Sequence, residues 1–332
     1  MDIVTFIYLL LNFLVLFLCS KISYRFNLVD LPNERKIHTE ATAYTGGIAI
    51  SVILLLAIIL FDNFSETVSL ILSIAFLISI VGLIDDKYHL NTGGKLSLQI
   101  IPIFYLVFFE NLALNQIGDY KYFSIELGSF AIPFTFLSLL FLINAFNYFD
   151  GMDGTLSITS ISVIIILYFL VPDQNSKFFL TMLLIPICFF LFFNFSILKL
   201  PKLFLGDSGS LLLGFIISFT LIFFANQNFV HPILLAWSIA IFVYEFLSIN
   251  LIRLKNNQDP FKPGKDHLHH ILLEKTKSVF ISNFLMSISN IVLFIIGYLS
   301  FLFINPLGSL VLFIFLFILF FFLRNIFSKE LK

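Results

Sequence analysis

FAIPFTFLSLLFLINAFNYFDGMDGTLS, residues 130–157, holds the two properties that decide what kind of protein this is. Its first part, 130–146, carries no charge and approaches the roughly 20 residues that a membrane-crossing helix needs. Its second part places Asn144, Asn147, Asp150 and Asp153 at every third position, with Gly151 and Gly154 beside the carboxylates. A helix would carry those four along one slowly rotating face. Ionisable groups near membrane depth cost about 2.5–3.5 kcal/mol each on insertion scales, so they tend to line functional cavities.

The remainder of the chain repeats the first property. Its 332 residues are 59% hydrophobic and 12% charged, where a soluble domain carries about 25% charged residues. Apolar runs at 3–20, 46–61, 67–84, 96–109, 130–146, 157–171, 178–195, 209–225, 232–252, 281–303 and 307–323 predict an all-α polytopic membrane protein of about eleven transmembrane helices. No internal repeat or linker divides it, so 1–332 reads as a single integral-membrane domain. The first run lacks a basic flank and a small-residue cleavage site, and reads as a span rather than a cleaved signal peptide.

Lys and Arg are distributed unevenly between alternate connections. The segments after the first, third, fifth, seventh and ninth runs, with the C-terminal tail, hold 17 of the 19; only Lys121 and Lys177 lie on the other side. The positive-inside rule then predicts the N-terminus outside, the C-terminus in the cytoplasm, and cytoplasmic loops at 21–45, 85–95, 147–156, 196–208 and 253–280. The polar clusters fall in those loops, which predicts an active site on the cytoplasmic face. The net charge of −1 and the lack of a basic, aromatic-interleaved patch argue against a nucleic-acid partner. Cys19 and Cys188 have no metal-ligand spacing and read as small hydrophobes.

Each cluster has a chemical and a plain reading. Asp85-Asp86 can hold a divalent cation or supply a base, or can simply end a helix. Asp207, in the Gly-Asp-Ser-Gly-Ser turn of 206–210, suits Mg²⁺ through its carboxylate and phosphate through the backbone N–H groups; an ordinary helix cap is the alternative. No Gly-Lys-Ser/Thr follows, which excludes a P-loop. His267, His269 and His270 with Lys262 and Lys265 suit phosphate better than zinc, since no cysteine or fourth ligand is near and the lysines repel a cation. Arg35, Lys36 and His38 precede Gly46-Gly47, a second candidate anion site; topology anchoring is the plain reading. His231, in an outer loop, reads as solvated. The whole set suits phosphoryl transfer to an acceptor that lives in the membrane.

These motifs, in order from 30 to 272, resemble the polyprenyl-phosphate N-acetylhexosamine-1-phosphate transferases, the MraY/WecA-like family: D-x-P-x-x-R-K-x-H, D-D, N-A-x-N-x-x-D-G-x-D-G, F-x-G-D-x-G-S and H-x-H-H. The resemblance implies transfer of a sugar 1-phosphate from a UDP-sugar to undecaprenyl phosphate, with release of UMP, dependence on Mg²⁺ (or Mn²⁺), and a bacterial inner (cytoplasmic) membrane location. It implies that Asp207 is the metal ligand, Phe204 packs on uracil, and Asn147, Asp150 and Asp153 contact the nucleoside and its phosphates. Asp85 and Asp86 match the pair beside the lipid phosphate, one of them a base. Lys95, His267, His269 and His270 would neutralise phosphate charge, and Asn194 matches an Asn ahead of the metal motif. The resemblance also permits a homodimer.

Leu268 between His267 and His269 is similar to the WecA-like branch, which primes O-antigen or teichoic acid, and argues against the three consecutive histidines of MraY and its MurNAc-pentapeptide substrate. UDP-GlcNAc is then the leading donor, with the 6-deoxy sugars UDP-FucNAc and UDP-QuiNAc behind it. Ala43, His89 and Lys265 depart from the family's usual Pro, Asp and Arg; the last leaves the donor open. A transporter would need broken helices and charge at mid-membrane. An inactive scaffold would have lost an acidic motif, and none is lost.

Overall fold

A computed structural model describes residues 3–32, 40–259, 264 and 266–326, and the backbone of 327–330. Arg35, Lys36, His38, Lys262 and Lys265 lie outside the described residues. In chain order the elements are α1 (Ile3–Arg25), β1 (Val29–Asp30), β2 (Thr42–Ala43), α2 (Gly46–Leu60), α3 (Glu66–Tyr88), α4 (Thr92–Phe104), β3 (Gln116–Asp119), β4 (Ser124–Glu126), α5 (Ala131–Phe149), α6 (Thr155–Leu170), α7 (Gln174–Asn194), α8 (Gly206–Asn226), α9 (Pro232–Ser238), α10 (Ala240–Lys255), α11 (Leu268–Thr276), α12 (Val279–Phe303) and α13 (Pro306–Glu330). The four strands form two antiparallel pairs, β1–β2 and β3–β4.

All eleven apolar runs are helical. Among the described residues, eight helices are long and apolar enough to cross a membrane; α2 and α6 are shorter apolar helices. The chain is an all-α polytopic membrane protein. The run 232–252 contains no internal Gly or Pro, yet it breaks into α9 and α10 with a bend of 72°. Asn290 of α12 supplies what the broken ladder lacks: its Nδ2 donates to the Ser238 carbonyl at 2.8 Å and its Oδ1 accepts the Ile241 N–H at 3.3 Å. A side-chain amide thus replaces water, which apolar surroundings would not provide.

α8 is the hub. Every residue from Ser208 to Phe224 is buried, against α2, α3 and α5 in particular. Two glycines bring its neighbours close enough. A Cβ on Gly47 of α2 would collide with the backbone of Gly209, and one on Gly82 of α3 with the backbone of Asp207 and Ser208. These contacts set the start of α8 beside the end of α3, where the acidic motifs meet.

Several helices overrun their expected ends. Asp85 and Asp86 lie on the last turn of α3, not in a loop. α5 ends at Phe149, so the three-residue spacing of 144–153 is helical only for Asn144 and Asn147. Asn144 turns away, donating to Gln99 Oε1 at 3.3 Å and the Leu140 carbonyl. α13 continues past 323, and Arg324 is buried in the bundle, not part of a tail.

Candidate active site

Gly206 opens α8 with φ +72°, a left-handed conformation that favours glycine, and a Cβ there would meet the Tyr44 carbonyl and the Asp86 carboxylate. The residue before it, Leu205, offers no side-chain cap. The cap comes from α3: Asp86 accepts the N–H of Asp207 at 3.0 Å and of Ser208 at 3.3 Å. A carboxylate at a helix N-terminus is favoured by both the free N–H groups and the helix dipole. The acceptor at this helix start is therefore the protein's own carboxyl group. The same correction holds for Gly46 and Gly47, whose N–H groups donate to the carbonyls of Phe204 and Leu205 at 3.0 and 2.9 Å. Those glycines serve close packing, and their N–H groups are already used.

Asp207 then faces two donors. Lys95 Nζ, from α4, lies 2.6 Å from its Oδ2 and 2.7 Å from Asp85 Oδ2, so one ammonium bridges two carboxylates. Asn147, from α5, donates to Asp207 Oδ1 at 2.9 Å and to Ser210 Oγ at 2.7 Å. Asp85 also accepts the Leu90 N–H at 2.9 Å. Lys95 is the internal counter-ion of a cluster that four helices, α3, α4, α5 and α8, build together.

The turn after α5 adds a second acidic group. Asp150 is pushed up to about 8, first by burial and then by repulsion from Asp207 and Asp153, with Lys95 opposing. Asp153 pairs with Lys202 at 2.7 Å, and Lys202 in turn lies over the Phe204 ring at 5.2 Å. Asn283 of α12 donates to the Asp153 carbonyl at 2.7 Å and accepts from Thr155 at 2.6 Å, which fixes the turn. Asn194 is buried and donates to the Leu203 carbonyl at 2.9 Å, bracing the connection that leads to Asp207.

The histidines divide. His269 is buried against Gly151, where a Cβ would strike its ring, and His267 stacks parallel to it at 5.5 Å. Burial lowers His267 to about 4 and His269 well below the ordinary imidazole range. Burial thus disfavours the cationic form of both rings, the form in which they were expected to neutralise phosphate. Only His270 of the three lines the cavity.

That cavity has a volume of about 1230 Å³ and is bordered by Asp85, Asp86, Asp150, Asp153, Asn194, Lys202, Phe204 and Asp207. Lys95 and Asn147 stand behind Asp207 rather than on the wall. Its size is on the scale of, or larger than, the roughly 300–1,000 Å³ of ordinary small-molecule sites. His231 lies elsewhere and is not simply solvated: it accepts the Ile233 N–H at 3.2 Å, contacts the Asp119 carbonyl at 2.9 Å, and packs against Tyr120 and Phe301.

The family model of glycosyl transferase family 4 matches residues 67–225, the stretch that supplies Asp85, Asp86, Asp150, Asp153 and Asp207 of the cavity. The undecaprenyl-phosphate alpha-N-acetylglucosaminyl 1-phosphate transferase of Escherichia coli O157:H7 is 30% identical over 269 residues, covering 78% of this chain and 73% of its own. The probable undecaprenyl-phosphate N-acetylglucosaminyl 1-phosphate transferase of Bacillus subtilis is 30% identical over 318 residues, covering 88% and 84%. The chain belongs to glycosyl transferase family 4. It is a phosphosugar transferase.

Within this family member, sequence reasoning missed Lys202, Asn283 and Arg253. Arg253 holds Asp266 through two hydrogen bonds at 3.0 and 2.7 Å, which draws Asp266 below the usual carboxylate range against the effect of burial. Lys202, in PKLFLGD, was visible as a lone cation five residues ahead of Asp207. Asn283, inside an apolar run, was visible only as an amide in an oily helix.

Proposed function

We propose that the chain transfers a sugar 1-phosphate, with GlcNAc as the leading sugar, from a UDP-sugar to undecaprenyl phosphate and releases UMP. The observation that carries this is the meeting of Asp85, Asp86, Asp150 and Asp207 with Lys95 at one end of α8, beside a cavity with room for a nucleotide sugar. The relatives' names supply the lipid acceptor and the GlcNAc donor. A 6-deoxy donor remains the second reading because Lys265 replaces the family's usual Arg.

The donor set fits Mg²⁺, which takes one or two carboxylates and completes its shell with water and substrate phosphates. Among the described residues no three His, Cys, Asp or Glu side chains form a closed cage, and a cation that shares its ligands with a diphosphate needs none. Asp207 would hold it, with Asp150 nearby; bound there, it would offset charge on the diphosphate. Asn147 orients the Asp207 carboxylate, and Lys95 compensates its charge. Asp86 fixes the helix start that presents Asp207. Deprotonation of the lipid phosphate by Asp85 or Asp86 requires one of them to release a present partner. Attack of that phosphate on the β-phosphorus in one displacement balances the reaction: the P–O bond to UMP breaks as the new one forms.

The distribution of Lys and Arg supports eleven spans in one membrane domain, with the N-terminus outside and the site at the cytoplasmic face of a bacterial inner membrane. The test is a transfer assay with purified protein, Mg²⁺ and undecaprenyl phosphate, comparing UDP-GlcNAc, UDP-FucNAc, UDP-QuiNAc and UDP-MurNAc-pentapeptide. Preferred UMP release from UDP-GlcNAc is expected; no release with any donor would overturn the reaction.

A further inference from the structure

The C-terminal helix reaches the start of α11 through a buried ion pair. Arg324 of α13 is 2% exposed and Glu245 of α10 is 1% exposed. Arg324 Nε lies 3.0 Å from Glu245 Oε2, and one Nη donates to Oε1 at 3.2 Å. Both partners also hold backbone of the histidine segment: the Leu268 N–H donates to Glu245 Oε1 at 2.8 Å, and Arg324 donates to the Asp266 carbonyl. Charge buried this deeply is costly, and apolar replacements of such pairs are often neutral or stabilising, so stability alone does not explain the arrangement. What the pair does hold is the turn that carries His267, His269 and His270.

We propose that Arg324 is a positioning residue of the active site. Through Glu245 and the Asp266 carbonyl it fixes the first turn of α11, which seats His269 on Gly151 and turns His270 to the cavity. The kinetic part of this inference rests on the proposed reaction; the ordering of α11 does not.

The test uses the full chain in detergent, unaltered and as Arg324→Lys and Glu245→Leu/Arg324→Met. Readouts are hydrogen exchange over 266–276, the thermal transition, and KM and kcat for UMP release. The double variant replaces the pair with apolar groups and is expected to keep its thermal transition. Its α11 amides should exchange about tenfold faster, and KM for the UDP-sugar should rise about tenfold with less change in kcat, the scale of one lost buried hydrogen bond. Unaltered exchange and KM in that variant would overturn the proposal. Should it fail to fold, Arg324→Lys decides: lysine can pair with Glu245 but lacks the second arm for the Asp266 carbonyl. Faster exchange in Arg324→Lys at an unchanged thermal transition is expected, and exchange equal to the unaltered protein would overturn the clamp. Absence of UMP release from the unaltered protein would count against the reaction, with exchange still judging the clamp.

Discussion

Two buried polar clusters meet at the cavity, and they treat charge in opposite ways. At the start of α8 the carboxylates keep partners: Asp86 has two backbone N–H donors, Asp85 has the Leu90 N–H and Lys95, and Asp207 has Lys95 and Asn147. At the start of α11, His267 Nδ1 and His269 Nε2 are buried without a hydrogen-bond partner among the described residues, and burial disfavours the second ring proton that would make either cationic. The first cluster is a set of carboxyl groups, each with hydrogen-bond or ionic partners from a neighbouring element. The second is a pair of stacked rings packed behind Gly151 of the cavity wall. Residue types that look alike in a sequence, all of them ionisable, part company once their partners are known.

The largest effect that separates the two belongs to Asp207. Asp207→Asn keeps the shape and removes the charge, and is expected to lower UMP release by about 10³-fold or more, as losses of transition-state charge stabilisation do. Activity near that of the unaltered protein would remove the metal assignment. Lys95→Met comes next. It leaves Asp85 and Asp207 facing each other without their shared cation, with an expected loss of roughly 3–5 kcal/mol in stability and about 10²-fold in activity. A thermal transition equal to that of the unaltered protein would show that the bridge is not what holds the cluster.

The histidine pair has a pH signature instead. His267 is held at about 4, below the ordinary imidazole value near 6.5. A folded value below the unfolded one means that the unfolded chain binds the extra proton between those limits. Stability from this group is therefore full above about pH 6.5 and falls as pH drops towards 4, by on the order of 3 kcal/mol. His267→Gln should flatten the fall in thermal transition across pH 6.5 to 4 while leaving the transition at pH 7.5 little changed. An unaltered acid slope would mean that His267 is charged in the folded protein.

Much of this was legible because polar residues are conspicuous in a chain that is 59% hydrophobic. The apolar runs gave the helices, and the acidic motifs marked the residues that border the cavity. What stayed hidden was pairing across distance. Nothing local in GLIDDKYHL says that Asp86 caps a helix 121 residues later, or in FFLRNIF that Arg324 pairs with Glu245. Helical spacing also misled at 144–153, because the helix ends at Phe149 and Asp150 and Asp153 sit in a turn. Glycine pairs read as phosphate cradles turned out to be helix crossings, since the same lack of a Cβ serves either purpose.

The smallest effect tests whether every buried polar group belongs with the cavity. Asn290 is fully buried and makes three hydrogen bonds, to Ser162 Oγ, the Ser238 carbonyl and the Ile241 N–H, all around the bend between α9 and α10. Asn290→Leu has a similar shape and strands those backbone groups in apolar surroundings, where each unsatisfied group costs about 1–3 kcal/mol. A net loss of about 1–2 kcal/mol in stability is expected, after the gain from burying an apolar side chain. The UMP-releasing activity of the folded fraction should stay within about twofold, because no hydrogen bond links Asn290 to the acidic cluster among the described residues. The outcome that would break the division is lost activity at unchanged stability. The bend would then transmit to the cavity, and its amide would have to be counted with Lys95 and Asn147 rather than with the scaffold.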